Sequence, residues 1–440
     1  MLRPPATTLP RAVLLTAYVL VAAAPLLAVL LSGGMSGIEP RTAVGNALGL
    51  VAAPLLALQL VLSLRFPPIE RIFGLDRMLR FHRVMACVAL GLLGLHGALK
   101  LSESGGYIVQ TLFGDSWPVL LGIAAAAAAA LQVSVALGRR RLRLAYERWL
   151  GLHGLVAGGA LLAFAHAPLL GQDFPAPALR VVWGGLVLLV LVIGMQKKIV
   201  APLQARRSPW RVKAVAQETP DVWTVRLEPM VGPRRPQWPG QFCLIRPLTG
   251  RVPKERHPFT MSCAPGDPDL TITVKRVGDF TAHIRDFQPG DEALVEQPLG
   301  RFSYVLHDDA PLLLVAGGVG ITPLMSMLRH LRDTQDARPI RLIYGSKTEA
   351  DIIFRDELDD MARRMADFGV THILSVAAPE WTGARGHVDR GVLAPVVEEL
   401  GRERVGCYVC GPPPMMDLVV RSLRRIGVPG KHVYSERFML

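Results

Sequence analysis

The chain has 440 residues, half of them hydrophobic and only 19% charged, where an ordinary soluble protein is nearer a quarter charged. That composition excludes a disordered chain, the absence of a Gly-X-Y period excludes collagen, and five cysteines in this length exclude a disulfide scaffold. A net charge of +13 would suit nucleic acid, but residues 1–200 hold 17 Lys/Arg against 7 Asp/Glu and residues 201–440 hold 32 against 29, so the excess belongs to short loops of an apolar first half and no nucleic-acid partner is expected.

Six apolar stretches follow one another at 12–31, 42–64, 81–99, 117–137, 149–170 and 178–196. Each holds about the 20 residues that a helix needs to cross hydrocarbon, and no clean cleavage site follows the first, so it does not read as a signal peptide. The loops alternate in charge. Arg3 and Arg11 precede the first span, Arg65, Arg71, Arg77, Arg80 and Arg83 follow the second, Arg139, Arg140, Arg141, Arg143 and Arg148 follow the fourth, and Lys197, Lys198, Arg206 and Arg207 follow the sixth. The opposite loops carry Arg41, Lys100 and Arg180 alone. With six spans every cation-rich segment lies on one side; five or seven would break the alternation. Retention of Lys/Arg on the cytoplasmic side then predicts a plasma-membrane protein, the inner membrane in a bacterium, with both termini and the whole second half cytoplasmic. The Ala124–Ala130 run predicts close helix packing.

The apolar half contains four histidines, His82 and His96 in the third span and His153 and His166 in the fifth. Ionisable groups inside a bilayer are costly and mark functional positions. An interhelical hydrogen bond would account for one of them; two pairs with matching separations point to metal. His82 and His96 are 14 residues apart, about 21 Å along a helix at 1.5 Å per residue, and His153 and His166 are 13 apart. Two helices thus offer two levels with one imidazole from each, the arrangement that ligates haem on both faces. Zinc fits less well, because its ligands converge within about 2 Å of one ion. Fourteen residues return to within about 40° of the start, whereas thirteen leave His153 and His166 off register, so a distortion of the fifth span near Gly154, Gly158 and Gly159 is expected. His82 and His153 would hold an inner haem and His96 and His166 an outer one. Arg80, Arg83 and Arg148 could pair propionates or merely anchor the helices; Lys100 could serve the outer level or snorkel.

Beyond a basic linker the pattern turns to short alternating runs, Trp210–Ala216, Val222–Glu228, Gln241–Arg246, Leu270–Val277 and Glu292–Gln297, the texture of an antiparallel barrel. From about residue 311 it becomes βα, with buried-strand candidates Leu312–Ala316, Ile340–Tyr344, His372–Val376 and Cys407–Cys410, implying a doubly wound parallel sheet. Leu312–Ala316 runs into Gly317-Gly318-Val319-Gly320-Ile321-Thr322-Pro323, a loop suited to pyrophosphate at a helix N-terminus, and Cys410-Gly411-Pro412 adds a second edge to that crevice. Cys407 and Cys410 form a lone C-x-x-C, for which neither zinc nor a cytosolic disulfide is expected. The fold expected is therefore a multidomain membrane protein: a six-helix all-α transmembrane bundle over 1–200, an antiparallel β-barrel over 201–308 and a doubly wound α/β nucleotide-binding domain over 309–440.

The set Pro239-Gly240-Gln241-Phe242, His257-Pro258-Phe259-Thr260-Met261-Ser262, Gly278-Asp279-Phe280-Thr281, the glycine loop at 317–323 and Cys410-Gly411-Pro412 resembles the ferredoxin–NADP reductase superfamily. With six spans and two histidine pairs in front, the whole chain resembles the NADPH oxidase and ferric reductase family, most nearly its compact bacterial members. The resemblance implies that His257, Pro258, Phe259 and Thr260 line FAD, and that Lys275 or Arg276 with Gly278 and Thr281 hold its pyrophosphate. It implies that Gly317, Gly318, Gly320 and Thr322 bind the phosphates of the nicotinamide dinucleotide, with Gly411 on the opposite edge and Cys410 near the nicotinamide. A C-terminal aromatic stacks on the flavin in such proteins; Phe438 is the candidate, although Met439 and Leu440 follow it where several relatives end. Ser346, Lys347 and Arg355 follow the second strand of the nucleotide domain and suit the 2′-phosphate of NADPH, with NADH as the alternative. The implied activity is electron transfer from NADPH through FAD and two haem b groups to dioxygen, giving superoxide, with Arg41 a candidate cation on the oxygen side. The rivals are a ferric-chelate reductase and a donor to a periplasmic protein. No obligate protein partner besides the bilayer is expected.

Overall fold

The computed structural model describes residues 8–64, 69, 72–103, 117–138, 142, 146–170, 176–206, 208–307 and 311–437. Phe438 and the cations Arg3, Arg65, Arg71, Arg139, Arg140, Arg141, Arg143 and Arg207 lie outside the described residues. The chain divides into two compact units, Ala6–Pro202 and one that includes Leu203–Leu440.

The first unit is helical: α1 (Thr8–Leu31), α2 (Pro40–Ser63), α3 (Leu75–Glu103), α4 (Trp117–Gly138), α5 (Tyr146–Leu170) and α6 (Pro177–Met195). Glu39 caps α2 by accepting the Thr42 N–H at 3.0 Å, with Pro40 in the first turn. Five of these helices are long and apolar enough to cross a membrane among the described residues. The 25-residue α5 is not one of the five, and the side chains at 155–158, 160 and 161 fall outside the description; six spans were expected, and five of the six helices qualify.

Large apolar side chains face outward on these helices, among them Val19, Leu31, Val181 and Leu191. A water-soluble bundle would hide such a surface; a lipid solvent requires it. The interior is made of small and aromatic residues, Ala28, Ala53 and Ala57 with Phe164, Leu179 and Trp183. Trp183 donates its indole N–H to the Phe164 carbonyl at 3.2 Å. α2 lies along α3, and α4 along α5. A Cβ on Gly159 would stand 2.6 Å from the Ala128 Cβ, so the alanine run packs closely, as expected.

The distortion expected between His153 and His166 is absent: the backbone from Tyr146 to Leu170 is one uninterrupted α-helix. The one-residue difference from α3 is taken up by side-chain aim rather than by the ladder of backbone hydrogen bonds. A π turn does occur, but at Gln196–Val200, beyond α6.

The second unit opens with six antiparallel strands, β1 (Trp210–Thr219), β2 (Val222–Pro229), β3 (Phe242–Pro247), β4 (His257–Thr260), β5 (Leu270–Lys275) and β6 (Glu292–Leu299), in the order β4-β3-β6-β1-β2-β5. A bridge between Met261 and Ile272 joins the two ends of that order, closing the sheet into a barrel. Trp210, Val212, Val225, Leu227, Ile272 and Val274 fill it.

Six parallel strands follow: β7 (Leu312–Gly317), β8 (Ile340–Ser346), β9 (Phe368–Leu374), β10 (Ala384–Arg385), β11 (Gly406–Cys410) and β12 (Val433–Glu436), ordered β10-β9-β8-β7-β11-β12. The helices α7 (Ile321–Asp333), α8 (Arg355–Arg364), α9 (Arg390–Leu400) and α10 (Pro413–Ile426) connect them. Every residue of β7 is buried, as a central strand covered on both faces requires. The strand expected at His372–Val376 instead spans Phe368–Leu374. Its register on β8 pairs Ile340 with Phe368, and Arg341 grips Asp367 at 2.7 Å just before it. Ser375 and Val376 belong to the exit, where their N–H groups bond to Ser346 and Lys347.

Gly240 has φ +88°, and a Cβ there would lie 2.2 Å from the Phe302 carbonyl oxygen. Gly240→Ala is expected to destabilise the barrel by more than about 2 kcal/mol, lowering its melting transition in the full chain by at least about 5 °C. Gly266→Ala, which enters open space, should leave the transition unmoved.

Candidate functional site

The order of the parallel sheet reverses between β7 and β11, and such switch points are where open α/β sheets bind ligands. Two loops meet there. The glycine loop makes one turn of 3-10 helix at Gly318–Gly320 before α7. The other leaves β11 at Cys410-Gly411-Pro412. They touch closely enough to require glycine: a Cβ on Gly320 would lie 2.3 Å from the Cys410 carbonyl oxygen, and one on Gly317 would lie 2.5 Å from Met415 sulfur. Gly411 is similarly confined: a Cβ there would lie 3.0 Å from the Gly317 nitrogen. Gly318 has φ +51° and open space around its missing side chain, leaving the backbone accessible to a phosphate. The Tyr344 hydroxyl pins that turn, donating to the Gly318 carbonyl at 3.1 Å and accepting the Ile353 N–H at 3.2 Å.

Thr322 is buried, and its hydroxyl donates to the Val319 carbonyl at 3.0 Å; it shapes the loop. Cys410 is fully buried. Burial, and then the Glu436 carboxylate, push its thiol well above the ordinary range, so it stays protonated at neutral pH. Glu436 pairs with Cys410 across β11 and β12, a neighbour that the sequence reading did not find. Lys347 is exposed, and Arg355 is ion-paired with Glu349 and lies over the Trp381 ring at 5.9 Å.

In the barrel, His257, Pro258, Phe259 and Thr260 form β4. The His257 ring is partly exposed and lies against Phe280, with centroids 3.9 Å apart; Phe259 is 5.8 Å from the same ring. Pro258 is exposed and Thr260 buried. The loop that carries Phe280 is closed by Thr281, whose hydroxyl accepts the N–H groups of Val277 and Gly278, each at 2.9 Å. Lys275 is paired with Asp221 at 3.2 Å, while Arg276 is exposed and bonds the Asp221 carbonyl only through its backbone N–H.

Two side chains of α7 fasten the barrel to the nucleotide domain. Arg329 donates to the Ser262 carbonyl at 2.7 Å and bidentately to Glu357 at 2.9 and 2.6 Å. The Ser326 hydroxyl donates to the Cys263 carbonyl at 2.7 Å. Ser262 ends the His-Pro-Phe-Thr-Met-Ser segment and α7 begins at the glycine loop, so this clamp fixes one motif against the other. Neither residue stands out in the sequence, where a helix arginine reads as a solvated cation.

The helical unit brings His82 and His153 together. Their ring centroids are 6.2 Å apart and the rings are inclined at 78°. Metal–imidazole bonds of about 2 Å, with about 1.2 Å from each ring centre to its nitrogen, put two rings sharing one metal about 6.4 Å apart. His153 also stacks on Trp149 at 5.1 Å. His96 and His166 are each held by a neighbouring helix. His96 Nδ1 is 2.8 Å from the Gly45 carbonyl oxygen on α2, and His166 Nδ1 is 2.8 Å from that of Pro118 on α4. A carbonyl only accepts, so both rings carry hydrogen on Nδ1 and keep a lone pair on Nε2, the state of a metal-ligating histidine. Each ring also lies on a glycine four residues further on. A Cβ at Gly49 would be 3.0 Å from the His96 ring, and one at Gly122 would be 2.6 Å from the His166 ring. The sequence reading missed these two glycines, although their shared spacing from Gly45 and Pro118 was legible. Among the described residues no three His, Cys, Asp or Glu converge as a metal cage; a porphyrin brings its own equatorial ligands, and a pair of imidazoles suffices for it.

Comparison with known proteins agrees with both units. Residues 48–164 match the family described as ferric reductase like transmembrane component, and residues 314–421 match the oxidoreductase NAD-binding domain. The chain belongs to the ferric reductase and NADPH oxidase-like family, with a ferredoxin–NADP reductase-type dehydrogenase half. It is 34% identical over 250 residues to ferredoxin–NADP reductase B of Sorangium cellulosum, covering 54% of this chain and 99% of that protein. It is 31% identical over 243 residues to the reductase component of propane 2-monooxygenase from Mycolicibacterium smegmatis, covering 54% and 68%. Among solved structures, the FAD/NAD-binding domain of Vibrio cholerae nitric oxide dioxygenase aligns at 23% identity with a TM-score of 0.47, over 52% of this chain and 98% of that one. As a member of this family the chain is an NAD(P)H-dependent oxidoreductase that binds FAD.

The clamp yields a test. Arg329→Met is expected to leave FAD content unchanged but to slow flavin reduction by NAD(P)H at least about tenfold, since a misplacement of about 1 Å between reactants costs on the order of a hundredfold. Rapid mixing under anaerobic conditions measures it.

Proposed function

We propose that this ferric reductase-like chain carries electrons from cytosolic NADPH, through FAD and two b-type haems, across the bacterial inner membrane to dioxygen, releasing superoxide on the far side. The observation that carries this reading is the state of the four intramembrane histidines: two rings spaced for a shared metal, and two with Nδ1 committed to carbonyls and Nε2 left open. When bound, FAD turns the hydride pair of a nicotinamide into single electrons and haem iron relays them one at a time.

The residues have separable tasks. His82 and His153 hold the inner haem, His96 and His166 the outer one, and the exposed Arg80, Arg83 and Arg148 offer cations at the inner level. His257 to Thr260 line the flavin, and the loop closed by Thr281, with Arg276 beside it, takes its pyrophosphate; Lys275 is engaged with Asp221. Gly317, Gly318 and Gly320 present backbone to the dinucleotide phosphates, Gly411 walls the crevice, and Cys410 with Glu436 backs the nicotinamide. Lys347 and Arg355 serve the 2′-phosphate of NADPH; the Glu349 carboxylate paired with Arg355 is the feature that favours NADH instead. Phe438 is assigned to the flavin by the resemblance alone. The cation-rich loops favour the cytoplasmic side for both termini and the dehydrogenase half, and the proposed domains run 1–200, 201–308 and 309–440.

With two imidazoles on each iron, these histidines would leave dioxygen no ligand position, and the group would pass electrons to it one at a time without binding it. The same exposed edge suits a ferric chelate, which is the second reading. A protein acceptor is the third: relatives of the dehydrogenase half bear the name reductase component, and a partner of that kind would replace dioxygen.

The test is a haem assay of the purified chain followed by anaerobic reduction with NADPH and exposure to oxygen or ferric citrate. Two b-type haems per chain, both reduced through the flavin and reoxidised faster by oxygen with superoxide formed, are expected. Faster reoxidation by ferric citrate would select the reductase; no haem would end the proposal. Gly122→Ala drives a methyl into His166 and should remove one haem of the two, while Gly97→Ala, which enters open space, should retain both.

A further inference from the structure

Gln59 on α2 and Gln132 on α4 lie at the level of His82 and His153. Their positions repeat. Gln59 lies 14 residues after Gly45 and 10 after Gly49; Gln132 lies 14 after Pro118 and 10 after Gly122. Fourteen residues bring a helix back to nearly the same face. A carbonyl, a glycine and a glutamine therefore recur in one order along both helices, and each such helix runs beside one histidine helix.

The outer half of this pattern already has a visible purpose, since the carbonyl and the glycine hold His96 and His166. At the other level Gln132 Nε2 is 3.2 Å from His153 Nδ1. The two ends of a carboxamide have the same shape, and turning it presents Oε1 as an acceptor at that position. His82 has its acceptor in the backbone of Gln59, one 14-residue repeat beyond Gly45. The Gln59 side chain is buried and turned elsewhere, its amide N–H groups going to the Tyr18 hydroxyl at 3.0 Å and the Leu55 carbonyl at 3.2 Å.

We propose that Gln132 is a positioning residue whose side chain accepts the Nδ1–H of His153, as the Gln59 backbone serves His82, and so fixes the tautomer that turns Nε2 toward iron. This rests on the two-haem reading above. An acceptor on Nδ1 makes the imidazole a stronger donor to metal, which favours ferric over ferrous iron. Removing it raises the reduction potential of that haem, and replacing it with a carboxylate lowers it.

Potentiometric titration of the full-length chain, with each haem followed by its spectrum, tests this in Gln132→Leu and Gln132→Glu. Gln132→Leu should shift the ferric preference of one haem about tenfold, a rise of about 59 mV for a one-electron couple. Gln132→Glu should move that haem in the opposite direction, a reversal that loosened packing does not produce. The other haem should stay at its wild-type potential. Gln59→Leu keeps the backbone acceptor of His82 and should leave both potentials unmoved. Wild-type protein with two haems whose potentials ignore both Gln132 changes overturns the proposal alone. Wild-type protein without haem overturns the two-haem reading and this inference with it.

Discussion

An imidazole placed in hydrocarbon has two ring nitrogens and no water to satisfy them. That constraint organises the membrane unit. At the level of His96 and His166, one nitrogen is met by a backbone carbonyl of the adjoining helix, and the ring lies on a glycine that makes room for it. The other nitrogen is left with a lone pair that only a donor or a metal can use. A residue that costs so much to bury and leaves half its bonding unmet calls for a partner, and the proposed iron would supply it. Glycine at 49 and 122, the carbonyls at 45 and 118 and the close approach of α4 to α5 at Gly159 all serve the placement of these rings.

The dehydrogenase unit answers a different constraint, the distance between two bound groups. Its two subdomains have separate cores, a closed barrel and a doubly wound sheet, and hydride transfer tolerates little slack between them. The contact between the loops after β7 and β11 leaves no room for a side chain at Gly317, Gly320 or Gly411, which fixes the walls of the crevice. Arg329 and Ser326 then reach from α7 to the carbonyls that end the β4 segment. One helix thus begins at the glycine loop and holds the His-Pro-Phe-Thr-Met-Ser segment along its side.

Much of this was legible in the sequence because it is periodic or local. Apolar stretches of span length, two histidine pairs, a strand running into a glycine loop and the His-Pro-Phe-Thr segment all lie within a few tens of residues. What escaped depends on neighbours distant in sequence. The 13-residue separation of His153 and His166 looked like a helix defect because it was judged on an isolated rod; in the fold, side-chain aim set by α4 absorbs it. β9 starts four residues earlier than its apolar run because the register on β8 and the Arg341–Asp367 pair decide its limits. β4, β10 and β12 are short strands whose pairing exists only once the sheets form. Arg329 is a clamp only because Ser262 and Glu357 converge on it.

Paired imidazoles from α3 and α5 as the ligands of two irons would be visible in the electron paramagnetic resonance spectrum of the oxidised full-length protein. Two low-spin ferric centres are expected, with a strongly anisotropic signal from the level where the His82 and His153 rings stand at 78°. A high-spin ferric signal, or a single centre per chain, would contradict it.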